Sequence, residues 1–117
     1  MNKGVIALAL EVLIAARRFG VDGVLEAQLL NSQRDVYEKV IGGLPLMPPK
    51  AYRWVPEMLE ISRAFEAVGM TPRVFQGAAD IYEFVAGTAL GKESPENRDK
   101  SRGGKDVVRL LAEAPAK

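Results

Sequence analysis

The sequence predicts an all-α fold of about six helices, because apolar residues recur at the spacing of a helix face over most of the chain. No stretch alternates apolar and polar residues, and no tight turn joins two such stretches, so we predict no strand. Glycine and proline residues interrupt the helical pattern at intervals and predict where the helices end.

The composition is that of one small globular domain. The chain has 117 residues, of which 48% are hydrophobic and 26% are charged, and this is enough for one modest core. The formal net charge of +1 gives no reason to expect nucleic acid or an anionic membrane as a partner. Because the chain has no cysteine and no histidine, disulfides, thiolate chemistry, Ser-His catalysis and histidine-ligated metal sites are excluded. We predict no metal site.

The first predicted helix runs from Lys3 to Phe19 and is apolar over most of its circumference. Such a pattern is typical of a core position, so we predict a long apolar central helix that neighbouring helices cover. Gly4 and Ala7 are small enough to let one of those helices approach closely, and Gly20 is the predicted C-cap. Because no capping residue precedes this helix, we expect that it begins further upstream in a longer protein.

The same stretch imitates a signal peptide, since Lys3 precedes an apolar run. Glu11 interrupts that run, and Arg17 and Arg18 follow it where a cleavage site requires small neutral residues. The run is also shorter than the roughly 20 apolar residues that a membrane span needs. We therefore predict neither segment, and the absence of cysteine agrees with the cytoplasmic location that we predict.

Two short helices and a break come next. Asp22 is the predicted N-cap of a second helix that reaches Ser32, and Ser32 is the predicted N-cap of a third helix over residues 33–41. Paired glycines and three prolines in residues 42–49 predict a break in the helical pattern.

The fourth predicted helix covers residues 50–68 and ends at Gly69. Pro56 lies inside it and cannot donate a backbone hydrogen bond. The sequence leaves two alternatives open: the helix bends at Pro56, or a short turn precedes a helix that begins near Val55.

A fifth helix is predicted after Thr71 as the N-cap, with Pro72 at its first position, and it ends at Gly87 or Gly91. We divide the chain into three parts on this basis. They are a helical domain over residues 1–91, to which the resemblance described below assigns substrate binding and dimerisation, a polar loop over residues 92–104, and a last helix with a tail over residues 105–117.

No catalytic or phosphate-binding motif is present. The adjacent Arg53 and Trp54, the only tryptophan, allow two interpretations. In the first, Trp54 packs in the core and Arg53 is an ordinary surface cation. In the second, they contact an anion at the helix break, because a guanidinium makes paired hydrogen bonds to carboxylate or phosphate.

Three stretches of the chain resemble a known family: NKGVIALALEVLIAARRFGV, RWVPEMLEISRAFEAVGMTPRVFQGAADIYEFVA and TALGKESPENRDKSRGGKDVVRLLAE. They are similar to the C-terminal helical domain of the β-hydroxyacid dehydrogenase superfamily, which includes 3-hydroxyisobutyrate dehydrogenase and 6-phosphogluconate dehydrogenase. The resemblance is closest to a poorly characterised 6-phosphogluconate dehydrogenase-like branch. It rests on helix-packing patterns rather than on catalytic signatures.

The resemblance implies an NAD(P)-dependent oxidoreductase that acts on a hydroxyl group. In that family an N-terminal Rossmann domain binds NAD or NADP. The helical domain closes the cleft over a small anionic hydroxyacid and forms a homodimer. The family's catalytic lysine would lie upstream of Met1, so we assign no catalytic residue. We expect this chain alone to bind no cofactor and to be inactive.

The resemblance also implies a set of substrate-binding residues. Lys3 is expected to point toward the cleft of the family. Pro56 and Glu57 occupy the positions of a Lys-Asp pair that many members carry, and Arg53, one turn earlier, is the nearest cation that could replace the missing lysine. The predicted substrate-binding residues are Lys3, Arg53, Trp54 and Glu57. The alternative function is a standalone helical module that self-associates without catalytic activity.

Overall fold

The computed structural model describes residues 1–115, which form six α-helices and no strand, and this confirms the predicted class. In chain order the helices are α1 (Asn2–Phe19), α2 (Asp22–Ser32), α3 (Arg34–Gly43), α4 (Ala51–Ala67), α5 (Arg73–Ala86) and α6 (Gly104–Glu113). Residues 116 and 117 of the predicted tail lie outside the described residues.

The prediction of a long apolar central helix is wrong. α1 has 18 residues and packs against α2, α5 and α6, which cover only one of its faces. Its buried residues share that face: Ala7, Leu10, Leu13, Ile14 and Ala16. Leu8 and Val12 are 63% and 42% exposed on the rest of the helix. The apolar residues of the sequence therefore fall on two faces, and the described residues provide neighbours for only one.

Within the described part of the chain, no helix combines the length and the hydropathy that crossing a membrane requires.

α4 and α5 form the most extensive helix pair, and aromatic contacts lie along it. The rings of Phe65 and Phe75 meet edge to face with their centroids 5.3 Å apart, and those of Trp54 and Tyr82 do so at 5.1 Å. α4 runs as one helix through Pro56, so the alternative that begins near Val55 is wrong.

Glycines end the first and fourth helices, as predicted. Gly20 has a φ of 77° and Gly69 has a φ of 86°, which is the left-handed backbone that glycine adopts without strain. Thr71 supports the start of α5, because its Oγ1 accepts a hydrogen bond from the backbone N–H of Arg73 at 3.1 Å. The helix itself begins at Arg73, one residue later than predicted, so the N-cap is Pro72 and the prediction of Thr71 as the N-cap is wrong; Gly87 follows its end.

Two other predicted N-caps, Asp22 and Ser32, are also wrong. Asp22 is the first residue of α2, and its carboxylate accepts a hydrogen bond from Arg17 at 3.2 Å rather than from its own helix. Ser32 donates its hydroxyl hydrogen to the carbonyl oxygen of Gln28 at 2.8 Å, so it closes α2 and does not cap α3.

The predicted break after α3 contributes to the core. It consists of two 3₁₀ turns, Leu44–Leu46 and Pro48–Lys50, and Met47 between them is buried. The polar loop that precedes α6 is ordered by its own side chains. Arg102 donates from both terminal nitrogens to the two carboxylate oxygens of Glu93, at 2.9 and 3.2 Å.

Candidate functional site

The first turn of α1 brings a lysine against the middle of α4. The Nζ atom of Lys3 donates to both carboxylate oxygens of Glu57, each at 2.8 Å, although the two residues are 54 positions apart in sequence. The Lys3 side chain is 34% exposed and that of Glu57 is 47% exposed. The ion pair is therefore in contact with solvent, where a ligand can reach it.

Trp54 forms the second side of this site, one turn before Glu57 on α4. The ammonium group of Lys3 lies 5.0 Å from the centroid of the indole ring, within the range of a cation–π interaction. The structure thus brings together Lys3, Trp54 and Glu57, three of the four residues that the sequence predicted for substrate binding. The Trp54 ring packs against the core, as the first interpretation predicts, and it also faces the Lys3 ammonium group. The anion contact of the second interpretation stays a prediction.

Tyr82 of α5 contacts two residues of this site, Lys3 and Trp54, and the sequence did not reveal this role. Its hydroxyl donates a hydrogen bond to the backbone carbonyl of Lys3, and its ring meets that of Trp54 edge to face. Burial raises the pKa of Tyr82 above its ordinary value, and the negative charge of Glu57 raises it further. The hydroxyl therefore remains a hydrogen-bond donor throughout the physiological pH range.

A groove of about 390 Å³ opens beside the ion pair. Its residues come from α1, α4 and α5, and they are Met1, Asn2, Lys3, Gly4, Glu57, Met58, Ile61 and Phe75. Gly4 makes the close approach possible, because a Cβ there would lie 3.1 Å from the ring of Phe75. The groove therefore combines the apolar residues Met58, Ile61 and Phe75 with the charged pair of Lys3 and Glu57.

The side chain of Arg53 takes no part in these contacts. It is exposed on α4 and makes no hydrogen bond or ion pair with any residue in the described range. Nor do residues 1–115 contain a group of three or more histidine, cysteine, aspartate or glutamate side chains that could hold a metal ion. The chemistry that the arrangement offers is recognition of a small anion by Lys3, beside an aromatic and apolar surface.

A sequence model of the family described as domain of unknown function DUF1932 matches residues 16–85, more than half of the chain, and the chain therefore belongs to this family. The family is known as the C-terminal domain of NAD(P)-binding hydroxyacid dehydrogenase-like proteins. The matched range contains Trp54, Glu57 and Tyr82, whereas Lys3 precedes it. Comparisons with curated proteins and with solved structures found no match.

Proposed function

We propose that this chain is the substrate-binding and dimerisation domain of an NAD(P)-dependent hydroxyacid dehydrogenase whose cofactor is held by a separate Rossmann domain. The family match and the ion-pair site of Lys3 support this proposal together. The observation that carries it is the contact of Lys3 with both oxygens of a carboxylate, because an incoming hydroxyacid presents the same group.

In this function Lys3 binds the carboxylate of the substrate and Trp54 limits where the ammonium group can move. The groove beside them accommodates the carbon chain of the substrate on Met58, Ile61 and Phe75. Arg53, which has no partner among the described residues, remains available for a group on the cofactor domain or on the substrate. The hydride transfer belongs to the part of the enzyme that carries NAD or NADP.

Fluorescence of Trp54 tests the binding half of this proposal directly, since it is the only tryptophan. We expect 3-hydroxyisobutyrate to change its emission in a saturable way, and we expect Lys3→Met to weaken that binding at least tenfold. Methionine keeps the length of the lysine stem but removes its charge. Equal affinity of Lys3→Met and the wild-type chain would refute the assignment of Lys3.

The exposed side of α1 supports the dimerisation half. Val5, Leu8 and Val12 form an apolar ridge on it, and a groove runs along each side of the ridge. The groove toward α5 has a volume of about 450 Å³, and that toward α3 about 330 Å³. A ridge between two grooves can pack against the same surface of a second copy related by a two-fold axis.

The charges around the α5 groove agree with a second copy as the occupant. Glu11 and Arg73 both line this groove, and neither side chain has a hydrogen-bond or ion-pair partner among the described residues. They come from different helices, so a two-fold axis across α1 can place Arg73 of one copy against Glu11 of the other. Opposite charges arranged in this way fix the register of a symmetric interface.

Sedimentation velocity over a range of concentrations tests this interface. We expect the wild-type chain to form dimers, Leu8→Glu to be monomeric, Glu11→Arg to dimerise more weakly, and the double variant Glu11→Arg, Arg73→Glu to recover. A monomeric wild-type chain, or a double variant no better than Glu11→Arg, would contradict the proposed register. Dimers without any hydroxyacid binding would instead favour the alternative function, a standalone helical module that self-associates.

A further inference from the structure

In the ligand-free chain the position of a bound carboxylate is already taken by Glu57. Both of its oxygens lie 2.8 Å from Lys3 Nζ, and no other acceptor contacts this ammonium group in the described structure. A free carboxylate would make the same pair of contacts, because acetate and a glutamate side chain offer the same two acceptor oxygens. The two cannot occupy the ammonium group in this geometry at the same time.

We infer that Glu57 is an internal competitor at this site, which an incoming small aliphatic carboxylate displaces from Lys3. This inference rests on the proposed function, because it requires that Lys3 binds a carboxylate ligand. The ion pair lies at the rim of the 390 Å³ groove, and both of its members line that groove. An aliphatic chain attached to the displacing carboxylate therefore lies on Met58, Ile61 and Phe75, which a buffer anion cannot use.

The exposure of the pair makes the displacement feasible. Glu57 is 47% exposed, so its carboxylate returns to water when it leaves Lys3 and needs no new partner in the protein. An exposed ion pair of this kind contributes little to stability. Trp54 and Tyr82 remain in place during the exchange, because their contacts do not involve Glu57. The Tyr82 ring packs against the indole ring of Trp54, and the Tyr82 hydroxyl donates to the Lys3 carbonyl.

The chain offers a matched control for testing this role. Glu57→Gln removes the competing charge, and Glu60→Gln removes the same charge one turn later on the exposed face of α4. Glu60 contacts no described residue through a hydrogen bond or an ion pair, so its variant changes net charge alone. Because both side chains are exposed, we expect both variants to retain the melting temperature of the wild-type chain to within a few degrees.

The experiment is a Trp54 fluorescence titration with butyrate, acetate and neutral butyramide of four chains: the wild-type chain, Glu57→Gln, Glu60→Gln and Lys3→Met. We expect Glu57→Gln to bind butyrate about two- to fivefold more tightly than the wild-type chain, the range that corresponds to losing one exposed ion pair. Glu60→Gln should match the wild-type chain. Butyrate should bind more tightly than acetate, and butyramide should not bind.

Each other outcome overturns the inference in a recognisable way. If Glu57→Gln and the wild-type chain bind butyrate equally while Lys3→Met does not bind, the site is real but Glu57 does not compete for it. Weaker binding by Glu57→Gln would show that Glu57 positions Lys3 for the ligand. An equal gain in Glu60→Gln would show an effect of net charge only. If no chain binds any carboxylate, the proposed function fails together with the inference.

Discussion

Gly104, the first residue of α6, lies against the carbonyl oxygen of Ile41 in α3. A Cβ atom on Gly104 would lie 2.2 Å from that oxygen and 2.8 Å from the Ile41 side chain. No side chain fits at such a distance, because a buried backbone cannot move away without disturbing the packing around it. The end of α3 and the start of α6 can therefore meet in this way only at a glycine.

The substitution Gly104→Ala is expected to lower the free energy of unfolding by about 1–3 kcal/mol, the range for overpacking a core. Gly42→Ala is the matched control, because Gly42 lies in α3 and a Cβ atom there would meet nothing within 4 Å. It should leave stability unchanged or raise it by up to about 1 kcal/mol, since alanine favours helix. Urea unfolding measures the stability of both variants, and equal midpoints for Gly104→Ala and Gly42→Ala would contradict the close contact of Gly104 with Ile41.

Arg18 ties the end of α1 to the end of α6. Its Nε and a terminal nitrogen donate to the backbone carbonyls of Ala112 and Ala114, each at 3.1 Å. Arg18→Lys keeps the charge but loses the second hydrogen bond, so we expect a loss of about 0.5–1.5 kcal/mol. Amide hydrogen exchange should show faster opening in the last turn of α6. Arg17→Lys, which affects only the exposed pair with Asp22, should leave that exchange unchanged.

Tyr37 should make stability depend on pH in the alkaline range. Burial raises its pKa to about 12 from the ordinary value of 10.0, and its hydrogen bond to Glu26 contributes to the shift. Between these values the unfolded chain releases the proton first, so stability should be complete below pH 10 and fall as pH rises toward 12. Thermal melts over this pH range measure how steeply stability falls with pH. Tyr37→Phe should reduce this pH dependence, and an unchanged pH dependence would contradict the raised pKa of Tyr37.

The isolated chain should not oxidise a hydroxyacid. It carries no glycine-rich nucleotide-binding motif, and we expect from the family resemblance that none of its residues is the catalytic lysine. Incubation with 3-hydroxyisobutyrate and either NAD or NADP should produce no absorbance from the reduced cofactor. Turnover that persists through a second purification, and that Lys3→Met abolishes, would contradict the expectation that the isolated chain is inactive.

Much of the local structure could be predicted from the sequence, because its causes are local. Gly20 and Gly69 end their helices through a backbone conformation that other residues avoid, and this signal can be read from the glycine alone. The N-caps were less predictable. Asp22 and Ser32 are suitable caps, but each found another hydrogen-bond partner nearby.

Burial along α1 could not be predicted, because it depends on neighbours that are distant in sequence. Apolar residues occur around most of this helix, and only the packed structure shows that Leu10 is buried while Leu8 is exposed. A count of apolar residues therefore predicted a covered central helix, whereas the described chain covers one face. The exposed face is the part that the proposed dimer would cover.

The candidate site was predictable as a set of residues and not as an arrangement. The family resemblance indicated Lys3 and Glu57, and the position of the only tryptophan indicated Trp54. Nothing in the sequence shows that Lys3 meets the other two across the α1–α4 contact. For Tyr82, no local pattern reveals that its hydroxyl binds the backbone of Lys3. Arg53 was included because of its charge and its position, and its side chain makes no hydrogen bond or ion pair with a described residue.

The measurement that tests the central claim most directly is an NMR titration of the isotope-labelled chain with 3-hydroxyisobutyrate. We expect the largest shifts at the Trp54 indole N–H and at the backbone amides around Lys3 and Glu57, and we expect Lys3→Met to abolish them. Shifts confined to another surface, such as the polar loop over residues 92–104, or unchanged shifts in Lys3→Met, would contradict it.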